Sequence, residues 1–168
     1  MTTITKSRII NIPANQVWET ISNYNNVHVF HPFVERADQL SEVDRGIGAT
    51  RQCNLYNSSA IVEEVTEWEE GRSFTVVTSD QPIFGETTGT MRVDPIDANR
   101  SNVTLDTNYT PKWGLFGKAL DILVLRMGVT YTLNRVLKSL QYHMETGELV
   151  SKGGKFIPLN MQSAGSEG

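Results

Sequence analysis

The chain has 168 residues, a formal net charge of −4 from 15 Lys and Arg against 19 Asp and Glu, and one cysteine. This length fits a single domain whose core is large enough to fold without disulfides or a structural metal. The acidic balance gives no general attraction to a phosphate backbone, so we do not expect nucleic-acid binding. The single thiol, Cys53, excludes an internal disulfide and any multi-thiolate metal site within the chain.

No targeting or membrane-spanning segment is expected. The first twelve residues carry Lys6 and Arg8 and lack the apolar core and small-residue cleavage site of a secretory signal. The longest apolar stretch, residues 119–129, contains Asp121 and Arg126, whereas a spanning helix needs about 20 mostly apolar residues. A cytoplasmic protein is therefore expected, and the free thiol agrees with that compartment.

The N-terminal part predicts one strand followed by two short helices. Residues 4–10 alternate as a strand, and Pro13 stands where the first turn of a helix tolerates proline. Apolar residues at three- and four-residue spacing then predict a short amphipathic helix, namely Val17, Trp18, Ile21 and Tyr24. A second helical segment through residues 27–30 follows, and Pro32 ends it.

Residues 33–109 have the pattern of short strands separated by turns. The predicted strands are 34–43, 49–56, 59–68, 72–80, 86–94 and 102–110. Short strands at regular intervals, joined by tight turns, indicate an antiparallel meander.

After residue 114 the period becomes helical. One apolar face predicts a long helix from Leu115 to about residue 145, marked by Val129, Leu133, Val136, Leu137, Leu140 and Met144. Gly147 is a natural end for this helix. Residues 148–168 include a Gly- and Ser-rich stretch and predict a disordered tail, which leaves residues 1–147 as the domain.

This order of elements predicts an α+β fold with a pocket. A curved antiparallel sheet of seven strands must bury its concave face, and the C-terminal helix is the one predicted element large enough to cover it. Curvature around a single helix leaves space between the two layers. Cavities of about 300–1,000 Å³ are where proteins bind small molecules.

Several short motifs follow one another in a recognisable order along residues 3–147. They are 11–18, His31-Pro32-Phe33-Val34, 46–51, 63–68, Val93-Asp94-Pro95, 109–112 and 137–140. Together with the order of elements, they resemble the START-like (SRPBCC) superfamily, within it the polyketide cyclase/dehydrase and lipid-transport branch. The resemblance implies a helix-grip fold around a hydrophobic pocket, and it carries over no catalytic residue set.

Arg51 is the first candidate for a polar role in the pocket. A two-residue turn at Asn57-Ser58 would pair Arg51 with Glu64, and a shift of one residue would pair it with Glu63 or Val65. An exposed ion pair there would contribute about 0.2–1 kcal/mol. An inward Arg51 could instead hold a ligand carboxylate or enolate oxygen. Both alternatives remain open, and alternation can also place Glu63 inside.

The remaining reactive side chains give weaker signals. His28 and His31 have a metal-ligand spacing, but no third ligand lies nearby in sequence, so we predict no metal site. A packed His31 or a donor at the pocket mouth fits better. Cys53 is expected to be a small buried hydrophobe, because no base is placed beside it. No phosphate-binding loop is present in the sequence, and no cofactor is predicted.

Apolar and aromatic side chains are expected to form the pocket wall, although each could equally be ordinary core. With Arg51, Glu63 and His31, the candidate ligand-binding set comprises Phe74, Val76, Met91, Tyr109, Leu123, Met127 and Tyr131. The two tyrosines are the stronger candidates, because a phenol buried near a cavity usually finds a hydrogen-bond partner.

Three functions fit these patterns. The leading hypothesis is binding, and with it transport, of a hydrophobic or aromatic small molecule such as a lipid, a polyketide or a quinone-like compound. The second is a cyclase/aromatase or dehydratase enzyme, which converging titratable groups would favour. The third is a docking module without a small ligand, which a filled interior would favour. Residues 115–125 are apolar nearly all round, so membrane-surface contact or a homodimer through them is an alternative to ordinary burial.

Overall fold

One seven-stranded antiparallel sheet is the framework of the described part of the protein. The computed structural model describes residues 1–78, 84–111 and 124–157. The strands are β1 (Thr2–Ile10), β2 (Val34–Gln39), β3 (Thr50–Leu55), β4 (Ala60–Glu69), β5 (Ser73–Thr78), β6 (Phe84–Asp97) and β7 (Arg100–Pro111). Their order is β1-β7-β6-β5-β4-β3-β2. The predicted meander is confirmed, with the first strand pairing beside the last.

Two helices and one 3₁₀ helix pack against this sheet. They are α1 (Ala14–Ser22), the 3₁₀ helix (Tyr24–Val29) and α2 (Arg126–Thr146). The inward face of α2 and the sheet share one hydrophobic core, in which Leu137 and Leu140 are as deeply buried as Val65 and Val93. The curved sheet wrapped around the C-terminal helix is the helix-grip arrangement of the predicted α+β class.

The described part of the long helix agrees with its sequence pattern. Gly147 ends α2 at φ 74°, where its N–H donates to the carbonyl of His143 over 2.7 Å. This left-handed position is the usual place for glycine after a helix, and it confirms the predicted end. The predicted first half of the helix, 115–123, lies outside the described residues, and with it most of the apolar segment 115–125. In the described part of the chain, no helix has the length and apolar character needed to cross a membrane.

The prediction of disorder from residue 148 onward is wrong for residues 148–157. They form a hairpin of β8 (Leu149–Ser151) and β9 (Lys155–Ile157), in which Val150 is buried. The turn between them needs Gly153 and Gly154 at φ 70° and 75°, so these glycines serve geometry rather than disorder. The N–H of Gly153 donates to the carbonyl of Pro32 over 2.9 Å, a long-range contact that composition does not reveal. Residues 158–168 lie outside the described residues.

A carboxylate clamp ties α1 to the sheet. Glu70 accepts hydrogen bonds from the indole N–H groups of Trp18 at 3.0 Å and Trp68 at 2.8 Å, and from Arg45 at 2.7 Å. These donors, Trp68 first among them, lower the pKa of Glu70 to about 2. One charged group therefore joins α1, the end of β4 and the loop before β3.

We expect Glu70→Gln to lower the midpoint of thermal unfolding by a few degrees. The amide has one accepting oxygen instead of two, and its NH₂ group would face donors. Glu69→Gln is the matched control, since the neighbouring exposed carboxylate pairs with Arg72 at the surface. Equal midpoints for the two variants in a calorimetric scan would contradict the clamp.

Candidate functional site

Among the described residues, three cavities have walls that include both sheet residues and residues of α2. We name them the inner cavity, of about 150 Å³, the outer cavity, of about 600 Å³, and the side cavity, of about 570 Å³. Thr132 of α2 lines all three. His31 lines the inner and side cavities, and Ile61 lines the outer and side cavities. The three spaces therefore have Thr132 as a common wall residue, and we call the surroundings of this residue the junction of the cavities.

The outer cavity has a mostly apolar wall. Among its lining residues, Tyr109 is 1% exposed and packs edge to face against Phe84, with 4.9 Å between ring centroids. Val129 of α2 and Leu125, which directly precedes α2, lie on the same wall. Its volume is within the range of small-molecule pockets.

The inner cavity combines apolar and polar walls. Its apolar residues include Phe74 and Val76 of β5 and Met91 of β6. Its polar side chains are His31, Arg51, Glu63, Thr90 and Thr132. These polar side chains thus lie in the wall of the inner cavity, whereas the wall of the outer cavity is mostly apolar.

The β3–β4 turn explains why Arg51 shares a face of the sheet with Glu63 rather than with Glu64. Leu55 pairs with Ser59 around a three-residue loop, not the two-residue turn considered from the sequence. Ser58 adopts φ 67°, the left-handed position that such a three-residue loop needs. This extra residue shifts the register by one, so Arg51 lies opposite Glu63. Both side chains then share the concave face of the sheet.

Arg51 and Glu63 form a buried ion pair. The Nε and Nη2 atoms of Arg51 donate to Oε2 of Glu63 at 2.9 Å and 2.7 Å, and Nη1 donates to the carbonyl of Tyr24. The guanidinium lies over the Tyr24 ring, with 3.8 Å from Cζ to the centroid. The side chains of Arg51 and Glu63 are 8% and 15% exposed. The alternative of an exposed surface pair is therefore wrong.

Both partners of this pair are charged at neutral pH. Burial alone would raise the pKa of Glu63, but the charge and hydrogen bonds of Arg51 hold the pKa below its usual value. Burial likewise opposes the charge of Arg51, and Glu63 outweighs it by raising the pKa of the guanidinium. The carboxylate that Arg51 holds is thus one of the protein's own, and the pair has no net charge.

His31 is neutral at pH 7. Burial is the main cause that lowers the pKa of its imidazole to about 4, with Arg51 adding to the effect and Glu63 opposing it. The N–H of Phe33 lies 3.4 Å from Nδ1, which accepts it. In a neutral ring this bond assigns the proton to Nε2.

Cys53 is a protonated thiol in this structure. Its Sγ lies 3.7 Å from Oε2 of Glu63 and donates to it. Burial, and after it the nearby Glu63 charge, raises the pKa of Cys53 to about 12. A thiol in this state is a weak nucleophile. Among the described residues, no three His, Cys, Asp or Glu side chains gather as a metal site.

The sequence matches the family model described as "Polyketide cyclase / dehydrase and lipid transport" over residues 1–145. The chain belongs to this family. Comparison with curated proteins gives no match. The match ends before the β8–β9 hairpin, so Lys152 and Gly153, which line the side cavity, lie outside the region that defines the polyketide cyclase/dehydrase and lipid-transport family.

Solved structures support the same fold. The protein XoxI from Bacillus cereus is 21% identical, with 86% of this chain and 96% of that chain covered at a TM-score of 0.71. The ZhuI aromatase/cyclase from Streptomyces sp. R1128 is 15% identical, with 86% and 93% covered at 0.71. A START superfamily protein from Mycobacterium smegmatis is 14% identical, with 85% and 97% covered at 0.68. At these identities the likeness establishes the fold of this family member.

The structure brings most of the candidate ligand-binding residues to the cavities. Six line the inner cavity, namely His31, Arg51, Glu63, Phe74, Val76 and Met91. Two line the outer cavity, Tyr109 deep inside and Tyr131 at the rim with 59% exposure. Leu123 lies outside the described residues.

Met127 is the exception. It is 71% exposed, because the inward face of α2 at this end runs through Gly128, Val129 and Thr132. The expectation that it lines the pocket is therefore wrong. Thr132, at the junction of the cavities, was not among the residues predicted from the sequence. Its signal was a polar residue in the inward stripe, one position before Leu133 and four before Val136.

Proposed function

We propose that this member of the polyketide cyclase/dehydrase and lipid-transport family binds a hydrophobic or aromatic small molecule between the sheet and α2. The observation that carries the proposal is the outer cavity, with about 600 Å³ of space and a mostly apolar wall. An apolar compound that fills such a space gains about 25 cal/mol for each Å² removed from water. Lipids, polyketides and quinone-like compounds have the size and character that suit it.

The two ends of the site have different tasks in this proposal. The apolar body of the ligand lies in the outer cavity, against Phe84, Tyr109 and Val129. Its polar atoms reach the inner cavity, where His31 and the Arg51–Glu63 pair lie. A pocket of this kind takes most of its affinity from apolar burial and most of its specificity from a few placed polar groups.

The test is whether an apolar compound accompanies the purified protein. We expect denaturing mass spectrometry of an extract of native protein to show a compound that is absent from a mock purification. We also expect thermal shifts with part of a library of lipids and aromatic compounds, since a ligand that binds the folded state raises its stability. No compound in the extract and no shift across the library would contradict the proposal.

Gly128→Phe is the matched variant. Gly128 lines the outer cavity, and a Cβ at this position meets no atom within 4 Å, so the ring has space to enter. Replacing a helical glycine with phenylalanine also favours the helix by a few tenths of a kcal/mol, roughly the difference between their propensities. We expect the variant to fold and to lose the extracted compound. A variant that retains the compound would place it elsewhere.

A cyclase/aromatase or dehydratase reaction is the second candidate function. It is favoured by the convergence of His31, Arg51 and Glu63 on the inner cavity, each with a displaced pKa. The recovered compound separates the candidates. A compound returned to the protein and recovered with both its mass and its chromatographic retention unchanged supports binding alone. Ring closure, seen as a new retention time at the same mass, or loss of water, each beyond a protein-free control, supports the enzyme.

A docking module without a small ligand has less support. A filled interior would favour that function, and the cavities beside α2 are not filled by side chains. Membrane-surface contact or a homodimer through residues 115–125 stays a prediction, because most of that segment lies outside the described residues.

A further inference from the structure

Among the described residues, nothing hydrogen-bonds to the hydroxyl of Thr132, a residue that lines all three cavities. Helical threonines commonly bond the carbonyl four residues earlier. Thr20 does so with Gln16 at 3.4 Å, and Thr146 with Tyr142 at 2.7 Å. In the part of the chain that the structure describes, the carbonyl of Gly128 does not accept the hydroxyl of Thr132 in this way, and Thr132 is a wall residue of all three cavities. It is therefore available to a molecule that occupies them.

His31 supplies a second available donor at the same place. It lines the inner and side cavities together with Thr132. Its Nδ1 accepts the N–H of Phe33, which leaves the Nε2–H to face other groups. In the part of the chain that the structure describes, no hydrogen bond occupies that Nε2–H. Both groups at the junction are neutral donors.

The charged groups nearby are already matched to each other. Arg51 gives its Nε and Nη2 donors to Glu63 and an Nη1 donor to the carbonyl of Tyr24. A ligand carboxylate would therefore add an unmatched negative charge beside Glu63 in a buried space. Such a charge is strongly unfavourable, whereas a neutral oxygen that accepts a hydrogen bond is not.

We infer that Thr132 and His31 bind a neutral oxygen atom of the ligand, a ketone or quinone carbonyl or a hydroxyl, at the junction of the cavities. This inference rests on the proposed function and deepens it. It assigns Thr132 as a specificity residue and changes the role considered for Arg51. Arg51 neutralises Glu63 and does not receive a ligand carboxylate.

Three naphthalenes of matched shape test this inference. We expect 2-acetylnaphthalene, with its ketone, to bind the wild-type protein more tightly than either 2-ethylnaphthalene or 2-naphthoate, measured by titration calorimetry or ligand fluorescence. Thr132→Val keeps the shape of the side chain and removes the hydroxyl. It should weaken 2-acetylnaphthalene roughly two- to tenfold, the range of one hydrogen bond, and leave 2-ethylnaphthalene unchanged.

Thr130→Val is the control on the same helix, since Thr130 lies outside the lining of the three cavities. It should leave the affinities for all three compounds unchanged. His31→Phe keeps a ring, removes the second donor and should act in the same direction as Thr132→Val.

The outcomes separate this inference from the proposed function. If 2-ethylnaphthalene binds but Thr132→Val weakens it as much as 2-acetylnaphthalene, the inference fails and the pocket stands. Tightest binding of 2-naphthoate would likewise overturn the inference alone. If no naphthalene binds and the purified protein also yields no apolar compound, both fail.

Discussion

Arg51→Met should lower the free energy of unfolding by about 3–5 kcal/mol, because it leaves the Glu63 carboxylate buried without its partner. The variant loses the two donors that Arg51 gives to Glu63 at 2.9 Å and 2.7 Å, and the one that it gives to Tyr24. Because the side chain of Glu63 is only 15% exposed, water can replace few of the hydrogen bonds that it loses. Urea denaturation at pH 7, followed by circular dichroism, measures the difference.

A double variant distinguishes a lost partner from a damaged core. Arg51→Met with Glu63→Met removes both charges, and we expect it to recover most of the stability. The matched control is Arg36→Met at the Arg36–Asp38 pair, where the two side chains are 67% and 41% exposed. An exposed pair of this kind contributes about 1 kcal/mol or less. A double variant as unstable as Arg51→Met would show that the unpaired charge is not the cause.

The strands and helices could be predicted from the sequence because their apolar residues recur with different periods. Alternation in the strands and three- and four-residue spacing in α1 and α2 are local signals that survive in the fold. The end of α2 at Gly147 was equally local, since a left-handed residue after a helix favours glycine. The inner-cavity residues of β5, Phe74 and Val76, followed from alternation alone.

The features that the sequence did not decide depend on single residues or on distant contacts. Which glutamate pairs with Arg51 depended on one extra residue in a turn, with Ser58 in the left-handed region. The hairpin after residue 148 is joined by a backbone hydrogen bond to Pro32, more than a hundred residues earlier. Met127 was predicted to line the pocket because it lies one helical turn from Tyr131. That spacing does not tell which side of the helix faces the sheet. None of these follows from composition or period.

The polar groups at the junction of the cavities carry no net charge, and this has a consequence for function. One register shift brings Glu63 inside, Arg51 balances its charge, and burial keeps His31 neutral. A charged histidine would place a second cation beside Arg51 in the same small space. The pocket can therefore select neutral oxygen atoms only while His31 stays unprotonated, which makes pH a direct probe of the site.

Lowering the pH from 7 to 4.5 should reduce the stability contributed by this site by about 2–3 kcal/mol. The pKa of His31 is lowered from 6.5 to about 4, mainly by burial. Between these two values the unfolded chain binds more protons than the folded protein, so stability falls as the pH falls from 6.5 toward 4 and this loss ends below it. Each pKa unit corresponds to 1.36 kcal/mol. Carboxylates such as Glu63 add their own loss below about 4.5.

Comparison with His31→Asn isolates the histidine from those carboxylates. Urea denaturation of both proteins at pH 7 and pH 4.5 gives two differences, and the loss on acidification should be about 2–3 kcal/mol smaller in the variant. NMR titration of the imidazole Cε1–H signal in the folded protein should show a midpoint near pH 4. A midpoint near 6.5, with equal losses in both proteins, would mean that the ring is solvated. The junction would then carry a cation at mildly acidic pH, and selection for a neutral oxygen would weaken there.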